Sequence, residues 1–174
     1  MSQIITSTPS QDVLMLNMIA SSSSIASGGN YDLEVGDNSK FQVTAQRGTS
    51  ITVNPSADTA VTLKSGLYEI IFNGWVQMDA NISGSLDYQF KASSNSAFIL
   101  TDVAFDRNIQ FFGSSASVQP IIDPSHTVLF NTTGTDIYFR ITCTNGNSQT
   151  WILRGDVASI LTTLQIRRIG DAVS

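Results

Sequence analysis

The residues from Gly66 to Gln77 constrain the fold more than any other part of the chain. This segment is rich in aromatic and β-branched side chains and lies between turn residues, which is typical of a β-strand. Apolar residues occupy both odd and even positions, so both faces of the strand need cover. We therefore expect a central strand that lies between two layers, or between a sheet and a neighbouring subunit.

The wider composition favours a single all-β domain. Of the 174 residues, 41% are hydrophobic and only 13% are charged, so the chain contains enough apolar surface for one core without disulfide bonds. Short apolar or alternating segments recur between turn residues, which predicts an antiparallel β-sandwich without helices. The further strand candidates are residues 41–44, 50–53, 60–63, 86–91, 98–101, 109–112, 127–130, 137–144, 150–153 and 159–169.

The last of these segments shows the most sustained alternation. Successive side chains of a strand point to opposite faces, so four alternate residues share one face of this segment. They are the core candidates of the closing strand: Ile160, Thr162, Leu164 and Ile166.

The first 30 residues differ in composition from the rest of the chain. They begin polar, pass through a short apolar stretch, and continue with four serines and the pair Gly28-Gly29. Two interpretations are open: an N-terminal arm with a Ser/Gly hinge that docks on a partner, and a first edge strand of the sandwich. In the first interpretation residues 31–174 form the folded domain, and the anchoring residues of the arm are Val13, Leu14, Leu16, Met18 and Ile19.

Charge and hydropathy argue against two classes of partner. The net charge is −5 and the nine Lys and Arg residues are scattered, whereas nucleic-acid-binding proteins concentrate basic residues in a patch. No stretch approaches the roughly 18 apolar residues of a membrane span, and the N-terminus lacks the basic start of a signal peptide. We therefore expect neither a nucleic-acid partner nor a membrane partner.

The chain offers little that could support catalysis. His126 is the single histidine and Cys143 the single cysteine, so a zinc site and a catalytic triad both lack the residues they require. Cys143 lies on the apolar face of a strand candidate, where a buried and inert thiol is expected. Asp102 and Asp106 are the carboxylate pair that a polysaccharide hydrolase would need. We expect a protein that is not an enzyme and has no cofactor, with calcium as the one exception to consider.

One loop carries oxygen ligands at the spacing of a calcium site. Asp79, Asn81, Ser83 and Asp87 follow the pattern of a calcium-binding loop, with a glycine at the turn position. Phe90 replaces the bidentate glutamate of such loops, and strand candidates rather than helices flank the segment. Calcium binding and an ordinary connection between two strands both fit these residues.

Three stretches resemble those of a known family of β-sandwiches. They are Gly66-Leu67-Tyr68-Glu69-Ile70-Ile71-Phe72, similar to a G-x-Y-x-F strand; Gly134-Thr135-Asp136-Ile137-Tyr138-Phe139-Arg140, similar to a G-D-x-V-x-L strand; and the closing strand, residues 159–170. The order of the segments resembles the jelly roll of tumour necrosis factor and of complement-type globular heads, a fold that also occurs in phage and viral fibre heads and capsid decoration proteins. The resemblance covers roughly residues 40–170, with Gly-Thr-Asp in place of the usual Gly-Asp.

The resemblance implies a homotrimer, with three sandwiches around a threefold axis and aromatic side chains along the seam. The candidates for this interface are Tyr68, Phe72, Trp75 and Tyr138. The alternative for each ring is a place inside the core of one protomer, because alternation does not show which face of a strand meets a neighbour.

Together with the resemblance, these expectations support three functions. The first is a structural virion protein, a homotrimeric capsid decoration or cement protein that binds the major capsid protein or another virion component. The second is the receptor-binding head of a viral fibre, whose loops at residues 79–85 and 113–117 contact a host surface glycan or protein. The third is the polysaccharide hydrolase. The first two place the protein in the virion, at the capsid surface or at a fibre tip.

Overall fold

The structure is a computed structural model that describes residues 12–54, 56–78, 84–99, 103–112, 121–122 and 124–173. Within these ranges the chain forms β-strands, turns and connections, which confirms the predicted all-β fold. None of the described residues belongs to a helix long and apolar enough to cross a membrane. The strands are β1 Val13–Met18, β2 Asn30–Asp32, β3 Phe41–Arg47, β4 Ile51–Val53, β5 Ala60–Asn73, β6 Val76–Met78, β7 Gly84–Ser93, β8 Val103–Phe112, β9 Ile121–Ile122, β10 Ser125–Asn145, β11 Trp151–Leu153 and β12 Thr163–Gly170.

The strands form an antiparallel β-sandwich of the jelly-roll type, as predicted. The larger sheet has the order β3-β1-β12-β5-β10-β7-β8, with β2 paired to β10 and β4 paired to β5, and a smaller sheet has the order β11-β6-β9. The long strands β5 and β10 form a central ribbon, paired from Asn73 opposite Ser125 to Ala60 opposite Tyr138. One end of this ribbon borders β12, and the other end borders β4, β2 and β7.

The central ribbon supplies core side chains at both of its ends, but from different alternating positions. In β5 the alternating buried pair before the change is Val61 and Leu63, next to the buried Ala60, and the buried positions are even-numbered from Tyr68. In β10 they are even-numbered up to Phe130 and odd-numbered from Ile137. Gly134 lies at this change with a φ of +115°, a conformation that glycine adopts without steric cost. Both strands therefore change their core-facing side at the same level and remain paired.

The central strand buries one face more completely than the sequence predicts. Tyr68 and Phe72 are fully buried, whereas Leu67 and Ile71 on the opposite face are only half-buried. The chain leaves this strand at Gly74, where a Cβ would lie 2.7 Å from the Phe72 ring, and continues as β6 in the smaller sheet. Within one protomer, the expectation of full cover on both faces is therefore wrong.

Strand β1 contradicts the prediction of an N-terminal arm for the residues that the structure describes. β1 lies between β12 and β3 and pairs with both. The five predicted anchor residues belong to the sandwich because β1 closes one side of its core: Leu14, Leu16 and Met18 are fully buried, Val13 is half-buried, and the Ile19 N–H donates to the Lys40 carbonyl oxygen. The strand alternative is correct, although β1 does not lie at an edge. Residues 1–11 of the predicted arm lie outside the described residues.

The serine-rich segment after β1 is held against the smaller sheet. The Ser22 N–H donates to the Leu153 carbonyl oxygen at 2.9 Å, and the Leu153 N–H donates to the Ser22 hydroxyl at 3.0 Å. Ile25 and Trp151 exchange two backbone hydrogen bonds of 2.8 Å. This segment is therefore part of the folded domain and not a free hinge.

Several strand candidates join into the longer strands β5 and β10, and two others, at residues 159–169 and 98–101, include residues outside any strand. β12 begins at Thr163, and Ile160 is 74% exposed in the preceding loop, so its assignment to the core is wrong. The other three core candidates of the closing strand are buried, as predicted. Phe98 lies in a turn with a φ of 54°, not in a strand. The turn forms because the carbonyl and side-chain oxygens of Asn95 accept hydrogen bonds from the N–H groups of Phe98 and Ala97.

Candidate interaction surface and a buried histidine

Two of the four aromatic residues predicted for a trimer interface lie inside the protomer. Tyr68 and Phe72 are fully buried on the inward face of β5. The Tyr68 hydroxyl donates to the Lys64 carbonyl oxygen at 2.8 Å, and the Phe72 ring stacks on Phe90 with a centroid distance of 4.8 Å. The interface prediction is wrong for both residues, because the alternation of β5 turns them towards the core.

The other two aromatic candidates are partly exposed. Trp75 lies in the connection between β5 and β6, and its backbone N–H donates to the Thr162 hydroxyl at 3.0 Å. Tyr138 lies opposite Ser93 of β7, in the second half of β10. A place for Trp75 and Tyr138 in an interface stays a prediction.

Strand β8 has its apolar face on the outside. Phe105 is 61% exposed, Phe111 is 83% exposed, and Ile109 between them is also exposed; we call these three residues the β8 stripe. The alternating residues on the other face lie beside the fully buried side of β7 and are Ala104, Asp106, Asn108 and Gln110. This polarity is the reverse of that expected for a sandwich strand, which buries its apolar face.

The position of β8 in the sheet adds to this exposure. β8 is the last strand in the order of the larger sheet, so among the described residues its outer backbone edge has no paired strand. An exposed apolar edge strand favours pairing or packing with another chain unless something covers it. The β8 stripe is therefore the strongest candidate for an interaction surface.

A second exposed apolar residue lies on the first half of β10. Leu129 is 60% exposed and lies opposite Glu69 of β5. Glu69 forms an ion pair with Arg167 of β12, its neighbour on the other side. We call Leu129, Glu69 and Arg167 the Leu129 face, and it is a surface separate from the β8 stripe because it lies on different strands.

An ion pair accompanies the β8 stripe. Arg107 lies between Phe105 and Ile109 on the outward face of β8. Its Nε and Nη2 atoms donate to the two carboxylate oxygens of Asp87 in β7, at 2.9 Å and 2.5 Å. Bidentate pairing of this kind fixes the geometry of the guanidinium group. The stripe therefore has a defined polar neighbour that any covering partner must accommodate.

The same ion pair engages one residue of the predicted calcium loop. Asp87 is in a strand and not in a loop, and both of its carboxylate oxygens bind Arg107. A calcium ion would have to displace Arg107 from this carboxylate, and the role of Asp87 as a calcium ligand stays a prediction. Asp79, Asn81 and Ser83 lie outside the described residues. Among the residues that are described, no group of three or more His, Cys, Asp or Glu side chains is placed to hold a metal ion.

His126 and Asp106 meet where β10 approaches β8. His126 Nδ1 lies 3.2 Å from Asp106 Oδ2, and the Thr127 N–H donates to the same oxygen at 3.3 Å. Asp106 Oδ1 accepts a hydrogen bond of 2.8 Å from the Arg107 N–H. The imidazole is fully enclosed, whereas the Asp106 side chain is 42% exposed. The carboxylate therefore joins the two strands from the surface side.

The remaining sides of the imidazole face aromatic rings. The ring centroids of Phe90, Tyr88 and Phe72 lie 6.2, 6.3 and 6.5 Å from that of His126. Neither His126 Nε2 nor the Tyr88 hydroxyl has a hydrogen-bond partner within the described part of the chain. Burial lowers the pKa of His126, and the nearby Asp106 opposes this effect. The imidazole is therefore neutral at pH 7, with its Nδ1–H donating to Asp106.

Cys143 has the environment that the sequence predicts. It is a free cysteine, fully buried on β10 opposite Tyr88. Burial, with a smaller contribution from Asp87, raises the pKa of the Cys143 thiol to about 12. Because the thiolate is the reactive form, a thiol in this environment is inert.

Sequence reasoning missed the β8 stripe and the contact between Asp106 and His126. The stripe left a signal, since Phe105, Arg107, Ile109 and Phe111 alternate, but the strand candidate at residues 109–112 included only its end. The contact left no local signal, because it depends on how β5 and β7 position His126 and Asp106 relative to each other. Asp102 and the loop residues 113–117 lie outside the described residues, so the hydrolase and receptor predictions that use them stay predictions.

No family model matches the chain, and no curated protein matches it by sequence. Among solved structures, the chain is similar to the crystal structure of murine APRIL at pH 5.0. The TM-score is 0.48 and the sequence identity 13%, over 91% of this chain and 99% of that chain. A similarity at this level says nothing about function.

Proposed function

We propose that this protein is a non-catalytic structural component of a virion, a homotrimeric capsid decoration protein that binds the outer surface of the shell. The observation that carries the proposal is the reversed polarity of β8. A strand that exposes Phe105, Ile109 and Phe111 while turning its polar residues inward is expected where a second molecule completes the fold.

Covering the β8 stripe offsets part of the free-energy cost of association. Covering a Phe or Ile side chain stabilises by about 1.5–3 kcal/mol relative to leaving it in water. Three such side chains on one edge strand therefore contribute several kcal/mol, against an association cost of about 4–15 kcal/mol. The remainder must come from the rest of the interface, for which Trp75 and Tyr138 remain candidates.

A closed ring accounts for two separate exposed surfaces on one protomer. The β8 stripe and the Leu129 face lie on different strands, so contact of one with the other is heterologous. Heterologous contacts close into rings when the rotation between subunits allows it. Three copies are what the jelly-roll resemblance implies, and a trimer places the β8 stripe of each copy on the Leu129 face of the next.

The non-catalytic part of the proposal is supported by the enclosure of His126. The chain has a single histidine, and its side chain is not accessible to a substrate. Asp106, one member of the predicted carboxylate pair, binds His126 and two backbone N–H groups. These groups are therefore engaged in holding two strands together.

The mass of the purified protein in solution tests the assembly. We expect roughly 56 kDa, three protomers of 18.7 kDa, by light scattering or native mass spectrometry. Phe111→Ser is expected to give the 18.7 kDa monomer. The matched control is Val157→Ser, because Val157 is 81% exposed but lies in the loop after β11; this variant should stay trimeric. A wild-type monomer contradicts the proposal.

The virion location is tested separately. Virus particles whose genome encodes this chain are purified on a gradient and analysed by peptide mass spectrometry. The chain should be detected in constant ratio to the major capsid protein. Its absence from intact particles contradicts the capsid assignment and leaves the oligomeric state untouched. Deletion of residues 1–30 is unsuitable as an attachment test, because it removes β1 from the core.

A further inference from the structure

The Asp106–His126 contact does more than fill space, because it is the polar connection between an edge strand and the central ribbon. β8 pairs with β7 along its length, with Asp106 beside Phe90. Within the described residues, its hydrogen bonds to β10 come from the Asp106 carboxylate, which accepts from His126 Nδ1 and from the Thr127 N–H. Loss of these bonds leaves β8 paired with β7 and weakens its attachment to β10.

We propose that Asp106 and His126 form an acid-sensitive clip between β8 and β10, which is closed while the imidazole is neutral and opens when it gains a proton. The inference rests on the geometry of the contact and does not depend on the proposed trimer or on the virion location.

The closed state suits a neutral imidazole on both sides. On the surface side, Nδ1–H donates to the carboxylate of Asp106, which fixes the tautomer. On the inner side, Nε2 then carries only a lone pair, and no described group donates to it. A buried acceptor without a partner costs less than a buried charge without one.

A second proton makes the inner side unfavourable. Protonation adds an Nε2–H that has no acceptor within the described residues and a charge that burial separates from water. The rings of Phe90 and Phe72 offer little compensation, since their centroids lie 6.2 and 6.5 Å away, beyond the roughly 6 Å of a significant cation–π contact. Opening towards solvent relieves both costs.

The groups that face His126 determine the direction of the pH effect. β8 presents Asp106, which favours the charged imidazole; β7 presents Tyr88, neutral in this range because burial raises its pKa; and β5 presents Phe72, which carries no charge. Burial is the largest effect and lowers the pKa of His126. The open or unfolded form, with a pKa near 6.5, therefore binds the proton more tightly than the closed form.

The sign of the pH dependence follows. Above about pH 6.5 the imidazole is neutral in both forms and the clip contributes its full stability. As the pH falls from about 6.5 towards the lowered pKa of the closed form, the open form takes up the proton and the clip weakens. One proton changes the opening equilibrium by at most about tenfold per pH unit in this range.

Two measurements on the full chain test the clip. Because His126 is the single histidine, its imidazole signals in an NMR titration are unambiguous, and we expect a pKa below 6.5. Hydrogen exchange, corrected for the intrinsic rate, should show protection at Thr127, whose N–H donates to Asp106, falling between pH 7 and pH 5. A pKa at or above 6.5, or protection that does not change, overturns the inference.

Three variants separate the clip from general acid sensitivity. His126→Phe should make protection at Thr127 independent of pH between 7 and 5, and an undiminished acid response overturns the proposal. Asp106→Asn retains an acceptor but removes the charge, so the pKa of His126 should fall further; an unchanged or higher pKa contradicts the clip.

Asp87→Asn is the control, since Asp87 binds Arg107 on the opposite face of the sheet; the His126 titration should not change. If His126→Phe does not fold, the Asp106→Asn titration decides.

Discussion

Strands β1 and β8 both carry apolar residues at alternate positions on one face, but they are opposite in their relation to the core. In β1 the other face is also largely apolar, whereas in β8 it carries polar residues; both strands belong to the outer parts of the larger sheet. β1 points Leu14, Leu16 and Met18 into the core, whereas β8 points Phe105, Ile109 and Phe111 into solvent. An alternating apolar pattern therefore identifies a strand but not the side on which its partner lies.

The difference has a structural cause. β1 has paired strands on both sides, and its inward residues join the main core cluster. Among the described strands β8 pairs with β7 alone, and its inward residues meet the edge of the aromatic cluster around His126, where polar groups such as Asp106 form hydrogen bonds. Inward apolar residues in β1 stabilise the protomer, whereas outward apolar residues in β8 are available to stabilise an assembly.

The largest expected effect is the loss of stability caused by a core substitution in β1. Leu16→Ala removes a fully buried side chain and should lower the free energy of unfolding by about 2–5 kcal/mol, because it leaves a cavity in the core. Met15→Ala is the matched control on the outward face of the same strand and should change it by less than about 0.5 kcal/mol. Chemical denaturation measures both. Equal effects of the two substitutions would indicate that β1 lies outside the core and would support the N-terminal arm.

A thiol probe sharpens the distinction between inward and outward residues. In the Phe111→Ser monomer, an added cysteine at Ile109→Cys should react with a thiol reagent at pH 8 at close to the rate of a free thiol. Cys143 should react at least about 100-fold more slowly, because its reaction requires a local opening that costs about 3 kcal/mol or more. Its pKa of about 12 also keeps the thiol protonated at pH 8. Rates within tenfold of each other would contradict the burial of β10.

The smallest expected effect concerns concentration. If β8 stabilises an assembly, the free energy of unfolding of the wild type should rise by about 1 kcal/mol per protomer for each tenfold increase in protein concentration. The Phe111→Ser variant should show no such rise. Thermal melting over a hundredfold range of concentration measures the difference, and a wild-type midpoint that stays constant would count against association.

Much of the fold was predictable because strand alternation is a local property. The buried residues of β12, the buried Cys143 and the central strand β5 all followed from spacing and residue type. Predictions failed where a neighbour decided the outcome. Ile160 fits the alternation of β12 but precedes Thr163, the first residue of β12 that pairs with β5. Phe98 fits a strand pattern but lies in a turn that Asn95 stabilises.

The candidate site was less predictable than the fold. Tyr68 and Phe72 are aromatic residues of the kind that interfaces use, but the phase of β5 turns them inward. Asp106 and His126 each stood out in the sequence for separate reasons, a carboxylate pair and a lone imidazole. Their contact depends on packing between strands, because His126 lies beside Phe72 of β5, Asp106 lies beside Phe90 of β7, and the rings of Phe72 and Phe90 stack on each other.

The sequence by itself determined that this protein is built from antiparallel strands, since the period of its apolar residues and its turn-forming residues act over a few positions. Only the tertiary structure decided which apolar residues are enclosed and which remain on the surface. That choice depends on the layer above each strand and on the strand beside it. The packing of β8 against β7 and the first half of β10 encloses His126 behind Asp106 and leaves the β8 stripe exposed.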